Sequence, residues 1–399
     1  MIRFVTALWN VVGLLLLVVL AAEFGVDALR RGLRRLRHGT ASKPSRTARA
    51  DAYQGAEWPI PYFDEFNRHV RVDYAPYVGW WLRPFRGHYV TIDERGLRDT
   101  PGEHEAGPGA TRILCFGGST MMGMGARDDH TIAAELAQRL RAAGNTVSVT
   151  NLGQLGHNNT QETLTLQRLL KQGERPDLVL FYDGVNEMIC VEHTGLPDRV
   201  MFEASRRAEF NLLFTDRRAA LLQGAAISLF PRTVRRLREW TGLPLRGPLP
   251  GGAADLDTAD LAAADLASLA QQAVEAYAGN LRLVRLLGQS YGFRPIFFWQ
   301  PVITTKRVKS ADELFFEAEF ISDVTLRRRL FDAVIAAYRR HPEIAGAPDT
   351  VDLSQLFDEH AAPLYIDLYH LSEAGNAAVA AAMQPVVTAL LPACRATAE

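Results

Sequence analysis

The strongest constraint on the fold of this chain is an alternation of strand and helix patterns that begins at Arg112. Short apolar runs, of the kind buried in a parallel sheet, alternate with longer segments of helical periodicity. The predicted strands cover 113–116, 147–150, 177–182, 295–299 and 350–353, and the predicted helices cover 131–143, 160–172, 270–291 and 326–340. This alternation predicts an α/β fold, with a parallel sheet between helices on both faces.

Composition limits the classes of partner. The chain has 399 residues, 48% of them hydrophobic, which is enough for one large core. Lys and Arg number 44 against 45 Asp and Glu, so the net charge of -1 gives no overall attraction for nucleic acid. The three cysteines, Cys115, Cys190 and Cys394, form no CxxC pair, so neither a zinc site nor a disulfide framework is predicted.

The N-terminus contains an apolar stretch from Phe4 to Ala22. A helix of this length, at about 1.5 Å per residue, spans the roughly 30 Å of a bilayer core. The sequence therefore predicts a single-pass membrane helix. A buried core helix and a cleavable signal peptide, cut near Val19-Leu20-Ala21, are the alternatives.

The basic residues do not decide on which side of the membrane the domain lies. Only Arg3 precedes the apolar stretch, whereas five arginines follow it, at positions 30, 31, 34, 35 and 37. By the positive-inside rule this favours a cytoplasmic body. The same arginines, separated by leucines, also suit an amphipathic extension lying on lipid headgroups.

Composition shifts divide the chain into four parts. Residues 1–38 form the anchor with its basic flank, and 39–57 are predicted to be a linker because they lack an apolar period. Residues 58–110 are predicted as an aromatic, β-rich preamble, and 111–395 as the α/β domain. An insertion at about 190–270 is either a wall of the substrate site or a packing element.

The first chemical motif is Phe116-Gly117-Gly118-Ser119-Thr120, directly after a buried strand. Glycines permit a tight strand-to-helix turn, which exposes the hydroxyl and backbone N–H of Ser119 as a nucleophile requires. The turn also suits an ordinary cap. A phosphate loop of the Walker type is excluded because no Gly-Lys-Ser/Thr follows.

Two later loops offer hydrogen-bond donors for a developing oxyanion. The loop from Asn151 to Thr160 contains Gly153 and Gly156, either of which can present a backbone N–H. The segment Tyr182 to Glu187 contains Asn186, whose amide can supply a second donor. Both loops follow predicted strands, and one such donor is worth about 3 kcal/mol in a transition state.

A fourth motif, Asp367-Leu368-Tyr369-His370, lies near the end of the chain before a small-residue helix. A carboxylate three residues before a histidine can accept the Nδ1 proton, which leaves Nε2 free to act as a base. Alone, such a motif also fits a solvated turn. The combination with the three preceding motifs favours a catalytic triad.

These four stretches resemble the sequence blocks of the SGNH (GDSL-like) hydrolase superfamily, over roughly residues 111–380. The resemblance implies a flavodoxin-like three-layer α/β/α sandwich and a reaction that needs no cofactor. It assigns Ser119 as nucleophile, His370 with Asp367 as the base pair, and Ser119, Gly156 and Asn186 as the oxyanion hole. Matching Asn151 to the Asn of the family favours Gly156 over Gly153.

The chain departs from the GDSL lipase pattern at Gly118, where the family has Asp, and at Thr120, where it has Leu. Three other features are similar to those of bacterial members of the superfamily that are involved in cell-envelope and exopolysaccharide acyl chemistry. They are the Asp-Gly-Val-Asn-Glu segment, the stretch 297–301 and the membrane-anchored aromatic preamble. This second resemblance implies a substrate class and leaves the assigned roles unchanged.

The predicted activity is that of a serine esterase on carbohydrate or lipid O-acyl (including O-acetyl) esters, acting through an acyl-enzyme. Transfer of the acyl group to a sugar hydroxyl by the same triad is an alternative, as is a non-catalytic polysaccharide-binding protein. Four aromatic residues either stack on sugar rings or pack in the core: Trp80, Trp81, Trp299 and Tyr369.

Three further polar residues in the loops have open roles. His157 is either a substrate contact or a polar loop residue. Asp183 and Glu187 form either a glycosidase-type carboxylate pair or a surface pair that orients Asn186. No metal site is predicted, because HExxH is absent and the ten histidines are scattered.

Overall fold

The structure is a computed structural model that describes residues 45–107, 109–201, 265–319 and 324–391, with a few isolated positions elsewhere. Nearly all of them belong to one unit, formed by 44–201 and 256–399. The predicted membrane helix, its basic flank and most of the 190–270 insertion lie outside the described residues. None of the helices formed by the described residues combines the length and apolarity needed to cross a bilayer.

The region predicted as a β-rich preamble begins with a helix, α1, from Pro59 to His69. Proline near the first helical position suits a helix start, and Tyr62, Phe63 and Phe66 fall on one buried face. Two short antiparallel pairs follow: β1 (Val72–Ala75) with β2 (Gly79–Leu82), and β3 (Phe85–Arg86) with β4 (Thr91–Ile92). The β prediction was therefore wrong for the eleven residues Pro59–His69, because their aromatic content concealed the helical spacing.

The predicted linker, 39–57, is packed against the domain from Ser45 onward. Two short 3-10 turns, Thr47–Arg49 and Asp51–Tyr53, bury three alanines and the ring of Tyr53. The Asp51 N–H donates to Asp312 Oδ2 at 2.9 Å, and Tyr53 donates to the Gly125 carbonyl at 2.8 Å. The linker prediction was wrong for this segment, because buried alanines at alternate positions do not produce a recognisable pattern of apolar residues.

The main sheet has five parallel strands. They are β5 (Thr111–Gly117), β6 (Val147–Asn151), β7 (Leu178–Asp183), β8 (Arg294–Trp299) and β9 (Thr350–Asp352). Their spatial order is β6-β5-β7-β8-β9. All five correspond to predicted strands, so the α/β prediction with a parallel sheet is confirmed.

The described helices that connect these strands lie on both faces of the sheet. They are α2 (Ser119–Met122), α3 (Ile132–Ala142), α4 (Asn159–Lys171), α5 (Val185–Thr194), α6 (Leu266–Tyr291), α7 (Ala311–Glu319), α8 (Val324–Arg340) and α9 (Glu373–Thr388). Alternate residues of β5 point to opposite cores: Ile113 packs with α3 and α9, whereas Leu114 packs with α4, α6 and α8. The result is three layers.

The topology fixes where ligands can bind. From β5 the chain first adds β6 on one side and then crosses over to add β7 on the other. Open α/β sheets bind ligands at such a switch point, in the crevice beyond the carboxyl ends of the strands. Ser119 lies two residues after the end of β5, at this position.

Candidate active site

Ser119 is the first residue of α2, directly after the turn at Gly118. The first N–H groups of a helix have no partner within the helix, so the Ser119 N–H is available to a ligand. A Cβ atom at position 118 would lie 2.1 Å from the Asn186 Nδ2 and 3.3 Å from the His157 carbonyl oxygen. Glycine at 118 therefore allows the Asn186 amide to approach the serine turn.

The predicted triad residues form one hydrogen-bonded chain. Ser119 Oγ lies 2.7 Å from His370 Nε2, and His370 Nδ1 lies 2.7 Å from Asp367 Oδ2. Because an ionised carboxylate can only accept, Nδ1 holds the proton and Nε2 accepts from the Ser119 hydroxyl. This is the arrangement in which a histidine can act as a general base toward a serine.

Asp367 remains ionised beside His370. Burial acts to raise the pKa of Asp367, but the charge and side-chain hydrogen bond of His370 outweigh burial and lower that pKa. The other carboxylate oxygen accepts from the backbone N–H groups of Tyr369, at 2.9 Å, and His370, at 2.8 Å. The loop therefore helps to keep the Asp367 carboxylate ionised and also fixes its orientation.

Gly153 and Gly156 differ in whether their N–H groups are available. The Gly153 N–H donates to Asn151 Oδ1 at 3.0 Å, and the Asn151 Nδ2 donates to the Met121 carbonyl at 2.9 Å. No hydrogen bond from the Gly156 N–H is found among the described residues. Gly156 has φ +67°, a left-handed conformation that favours glycine. Of the two glycines, only Gly156 has a donor available.

Asn186 lies in the first turn of α5, and its amide lies beside Gly118. Its Nδ2 donates one hydrogen to the His157 carbonyl at 2.5 Å, which leaves a second amide hydrogen. That bond joins the loops after β6 and β7 beside Gly118. The carboxyl ends of β5, β6 and β7 thus bring Ser119, Gly156 and Asn186 to the same edge of the sheet.

Asp183 is buried and Glu187 is half-buried, so they do not form the surface pair of the second alternative. Glu187 accepts from the Asn159 and Gly184 N–H groups, both at 2.7 Å. Asp183 is buried and accepts from Asn159 Nδ2 at 2.7 Å and from the Tyr277 hydroxyl at 3.3 Å. These bonds hold the loop that contains Asn186, so the orienting role fits and a glycosidase-type pair does not.

A third carboxyl group, on Glu162, is buried beside Asp183. Burial and the charge of Asp183 raise the pKa of Glu162 well above its ordinary value. The pKa of Asp183 is also raised, by its burial and by the charge of Glu187. We expect this pair to retain a proton at neutral pH, because two adjacent buried carboxylates cannot both ionise.

Most of the residues considered as substrate contacts are part of the core. The His157 ring is buried, and its Nε2 lies 3.0 Å from the Trp80 carbonyl oxygen. Trp80 and Trp299 are also buried, and Trp299 packs on Tyr338 with ring centroids 4.3 Å apart. Tyr369 is half-buried against the core. Trp81 is half-buried too, and it faces a cavity away from the triad.

Arg98 supports the serine turn and was not predicted from the sequence. Its side chain is completely buried, and its Nε donates to Asp128 Oδ1 at 2.6 Å. Its Nη2 donates to the Ala126 carbonyl at 2.8 Å, in the loop that follows α2. An isolated arginine in a turn-rich stretch resembles a surface residue, so no sequence signal marked it.

The described part of the chain contains no group of three or more His, Cys, Asp or Glu side chains placed to hold a metal ion. Cys115 and Cys190 are buried free thiols, and burial raises the pKa of each to about 12. Cys394 lies outside the described residues.

Comparison with known proteins gives only distant structural likenesses. No protein-family model matches the chain, and no curated protein matches its sequence. The acetyl xylan esterase AlAXEase is 13% identical over 69% of this chain and 99% of its own, with a TM-score of 0.36. The acetylxylan esterase Axe2 from Geobacillus stearothermophilus is 15% identical over 71% of this chain and 95% of its own, with a TM-score of 0.35.

A third solved structure is a G-D-S-L family protein from Desulfitobacterium hafniense DCB-2. It is 11% identical over 70% of this chain and 99% of its own, with a TM-score of 0.34. At these identities and TM-scores, the functional interpretation of this chain depends on the geometry of its own site.

Proposed function

We propose that the protein is a serine hydrolase that cleaves carboxylic esters through an acyl-enzyme. The observation that supports this most directly is the chain of two 2.7 Å contacts from Ser119 through His370 to Asp367. A serine hydroxyl is a weak nucleophile at neutral pH and needs an adjacent base that is itself oriented by a third group. The three side chains meet that requirement.

In the proposed reaction, His370 Nε2 takes the proton of the Ser119 hydroxyl while Oγ attacks the ester carbonyl. The carbonyl oxygen becomes an oxyanion, and His370 then gives the proton to the leaving alkoxide as the ester C–O bond breaks. Water attacks the acyl-enzyme with His370 as base, which releases the acid and restores Ser119. Asp367 stabilises the imidazolium in both halves of the reaction.

Three donors are proposed for the oxyanion: the Ser119 N–H, the Gly156 N–H and the Asn186 amide. The Asn186 amide is fixed by the His157 carbonyl and faces Gly118, next to the nucleophile. Donors held in place before the reaction stabilise charge without reorganisation, which is the largest catalytic effect in many enzymes. The proposed substrates are O-acyl esters of carbohydrates or lipids.

The experiment compares turnover of p-nitrophenyl acetate by the full chain and its Ser119→Ala and Asn186→Ala variants. We expect Ser119→Ala to abolish turnover, and Asn186→Ala to lower kcat by about 10²–10³-fold with little change in KM. Asn145→Ala, in the half-buried turn after α3, removes an amide of the same kind away from the triad, so it serves as the matched control and should keep native kcat. Wild-type turnover no faster than that of Ser119→Ala would refute the proposal.

We also propose that Phe4 to Ala22 anchors the protein in a membrane by a single helix. The support is the length and apolarity of that stretch. Carbonate extraction of membranes tests the anchor, which is refuted if the intact chain is recovered in the soluble fraction. Fusing reporters after Glu399, one active inside the cell and one active outside it, identifies the side on which the domain lies.

A further inference from the structure

A cavity of about 580 Å³ lies apart from the triad. It is bounded by the β1–β2 hairpin, by β6 and by α4, all within the same structural unit. Neither the triad residues nor Gly156 and Asn186 line it. Its volume falls within the range of roughly 300–1,000 Å³ found for small-molecule sites, so it is large enough for a second ligand.

The inner surface of the cavity is apolar or already hydrogen-bonded. Its floor includes the leucines at 97, 114 and 152, all buried. The hydroxyl of Thr150 donates to Glu103 Oε1 at 2.7 Å, and that of Ser148 donates to the Glu103 carbonyl at 2.8 Å. A sugar-like ligand would lose its bonds to water here without replacing them, whereas an apolar body would gain by burial.

Three arginines and two glutamates line the cavity: Arg95, Arg112, Arg168, Glu103 and Glu174. The side chain of Arg168, on α4, has no ion-pair or hydrogen-bond partner among the described residues. Arg112 pairs only with Glu174, and the side chains of both are more than a third exposed. Arg95 is neutralised by Asp93 and Glu103. The guanidinium of Arg168 is therefore the rim group with unused capacity to bind an anion.

We propose that this cavity binds an anionic amphiphile, with its apolar chain on the leucine floor and its carboxylate or phosphate at Arg168. A guanidinium binds either group through two parallel N–H donors. The half-buried ring of Trp81 forms part of one wall, beside the exposed Tyr74 of the hairpin. The triad has no role in this binding, so the proposal is independent of ester hydrolysis.

Calorimetric titration of the full chain with dodecanoate, dodecyl phosphate and dodecanol, each below its aggregation concentration, tests the proposal. We expect saturable binding of the two anions, and binding of the neutral alcohol at least about tenfold weaker, because a hydrogen bond to a charged group is lost. The two anions together show whether carboxylate and phosphate are both accepted. Absence of saturable binding, or equal affinity for dodecanol, would overturn the proposal.

Two matched variants of α4 locate the binding. Arg168→Gln should weaken both anions about tenfold or more and leave dodecanol unchanged, whereas Lys171→Gln, exposed and outside the cavity, should bind like the wild type. Dodecanoate bound at the triad instead would be insensitive to Arg168→Gln and sensitive to Ser119→Ala. That result would overturn the cavity site while leaving the ester-hydrolase proposal intact.

Discussion

Asp367 and Glu162 are both carboxyl groups withdrawn from water, yet their surroundings shift their pKa values in opposite directions. Burial acts to raise the pKa of Asp367, but the His370 charge and the loop N–H groups outweigh burial and lower it. Glu162 has no such partner, so burial and the charge of Asp183 raise its pKa. The lowered pKa keeps Asp367 ionised beside His370, whereas the pair formed by Glu162 and Asp183 is expected to retain a proton.

A prediction about pH dependence follows for Glu162→Gln. The pKa of Glu162 is higher in the folded chain than in the unfolded chain, where it is about 4.3. Its contribution to the free energy of unfolding is therefore fully present below that pH and is lost as the pH rises toward the pKa in the folded chain. The wild type should therefore lose free energy of unfolding between pH 5 and 8, and Glu162→Gln should lose less. Urea unfolding at both pH values measures the difference.

The control for this prediction is Glu174→Gln, which removes a carboxylate from the surface instead of the core. Its change in unfolding free energy between pH 5 and 8 should match that of the wild type. If Glu162→Gln shows the wild-type change as well, the buried pair does not retain a proton.

At the residue scale, the sequence marked the groups proposed to react and missed the groups that position them. Ser119, Asp367 and His370 stood out because the chemistry requires a serine after a strand and an acid three residues before a histidine. Arg98 and Glu162 did not, because a single arginine in a turn and a glutamate on an amphipathic helix both resemble solvated residues. Their burial depends on contacts distant in sequence.

At the scale of elements, the loop that contains Asp367 and His370 is held by a buried ion pair. The side chains of Lys306 and Glu313 are fully buried and 2.7 Å apart. Glu313 Oε1 also accepts from the N–H groups of Leu364 at 3.0 Å and Tyr365 at 3.2 Å. Helix α7 is thereby tied to the start of the loop that holds His370, the proposed base.

Glu313→Gln should be strongly destabilising, because it leaves the Lys306 ammonium buried without a counter-charge. Breaking one partner of a buried pair costs about 3–5 kcal/mol. Urea unfolding of the full chain measures the loss. Glu359→Gln, which removes a carboxylate that is 83% exposed, should change the unfolding free energy by less than about 1 kcal/mol. Equal effects of the two variants would contradict this account of the loop.

Elements with strong periodicity were predictable from the sequence. The parallel strands and the four helices predicted between them appear where the apolar patterns placed them, within a few residues, whereas α5 and α7 were not predicted. Helix α1 was missed because its aromatic residues favour strands, although Tyr62, Phe63 and Phe66 share a helical face. The segment from Ser45 to Tyr53 was missed because its packing depends on Asp312 and Gly125, far along the chain.

At the scale of the whole molecule, the segment 45–53 belongs to the same unit as the proposed triad. Tyr53 is buried against the loop after α2, and a Cβ atom at Gly125 would lie 3.0 Å from its hydroxyl and 2.2 Å from Ile366 Cδ1. The segment therefore contacts a place where the serine loop meets the loop that holds Asp367. This segment immediately follows the part of the chain proposed to include the membrane anchor.

A truncation tests that assignment. A fragment that begins at Glu57 should be less stable than one that begins at Ser45 by at least about 3 kcal/mol, because it loses the burial of Tyr53 and of three alanines. Thermal and urea unfolding of the two fragments give the comparison. Identical unfolding free energies of the two fragments would mean that residues 45–57 behave as the predicted linker.

Covalent labelling by a fluorophosphonate probe, with the labelled residue identified by peptide mass spectrometry, shows directly whether Ser119 is an activated nucleophile. An activated serine attacks the phosphorus and displaces fluoride, so we expect one phosphonylated residue, Ser119, and no labelling of the Ser119→Ala variant. Labelling of another serine, labelling that persists in the variant, or no labelling of the native chain would contradict it.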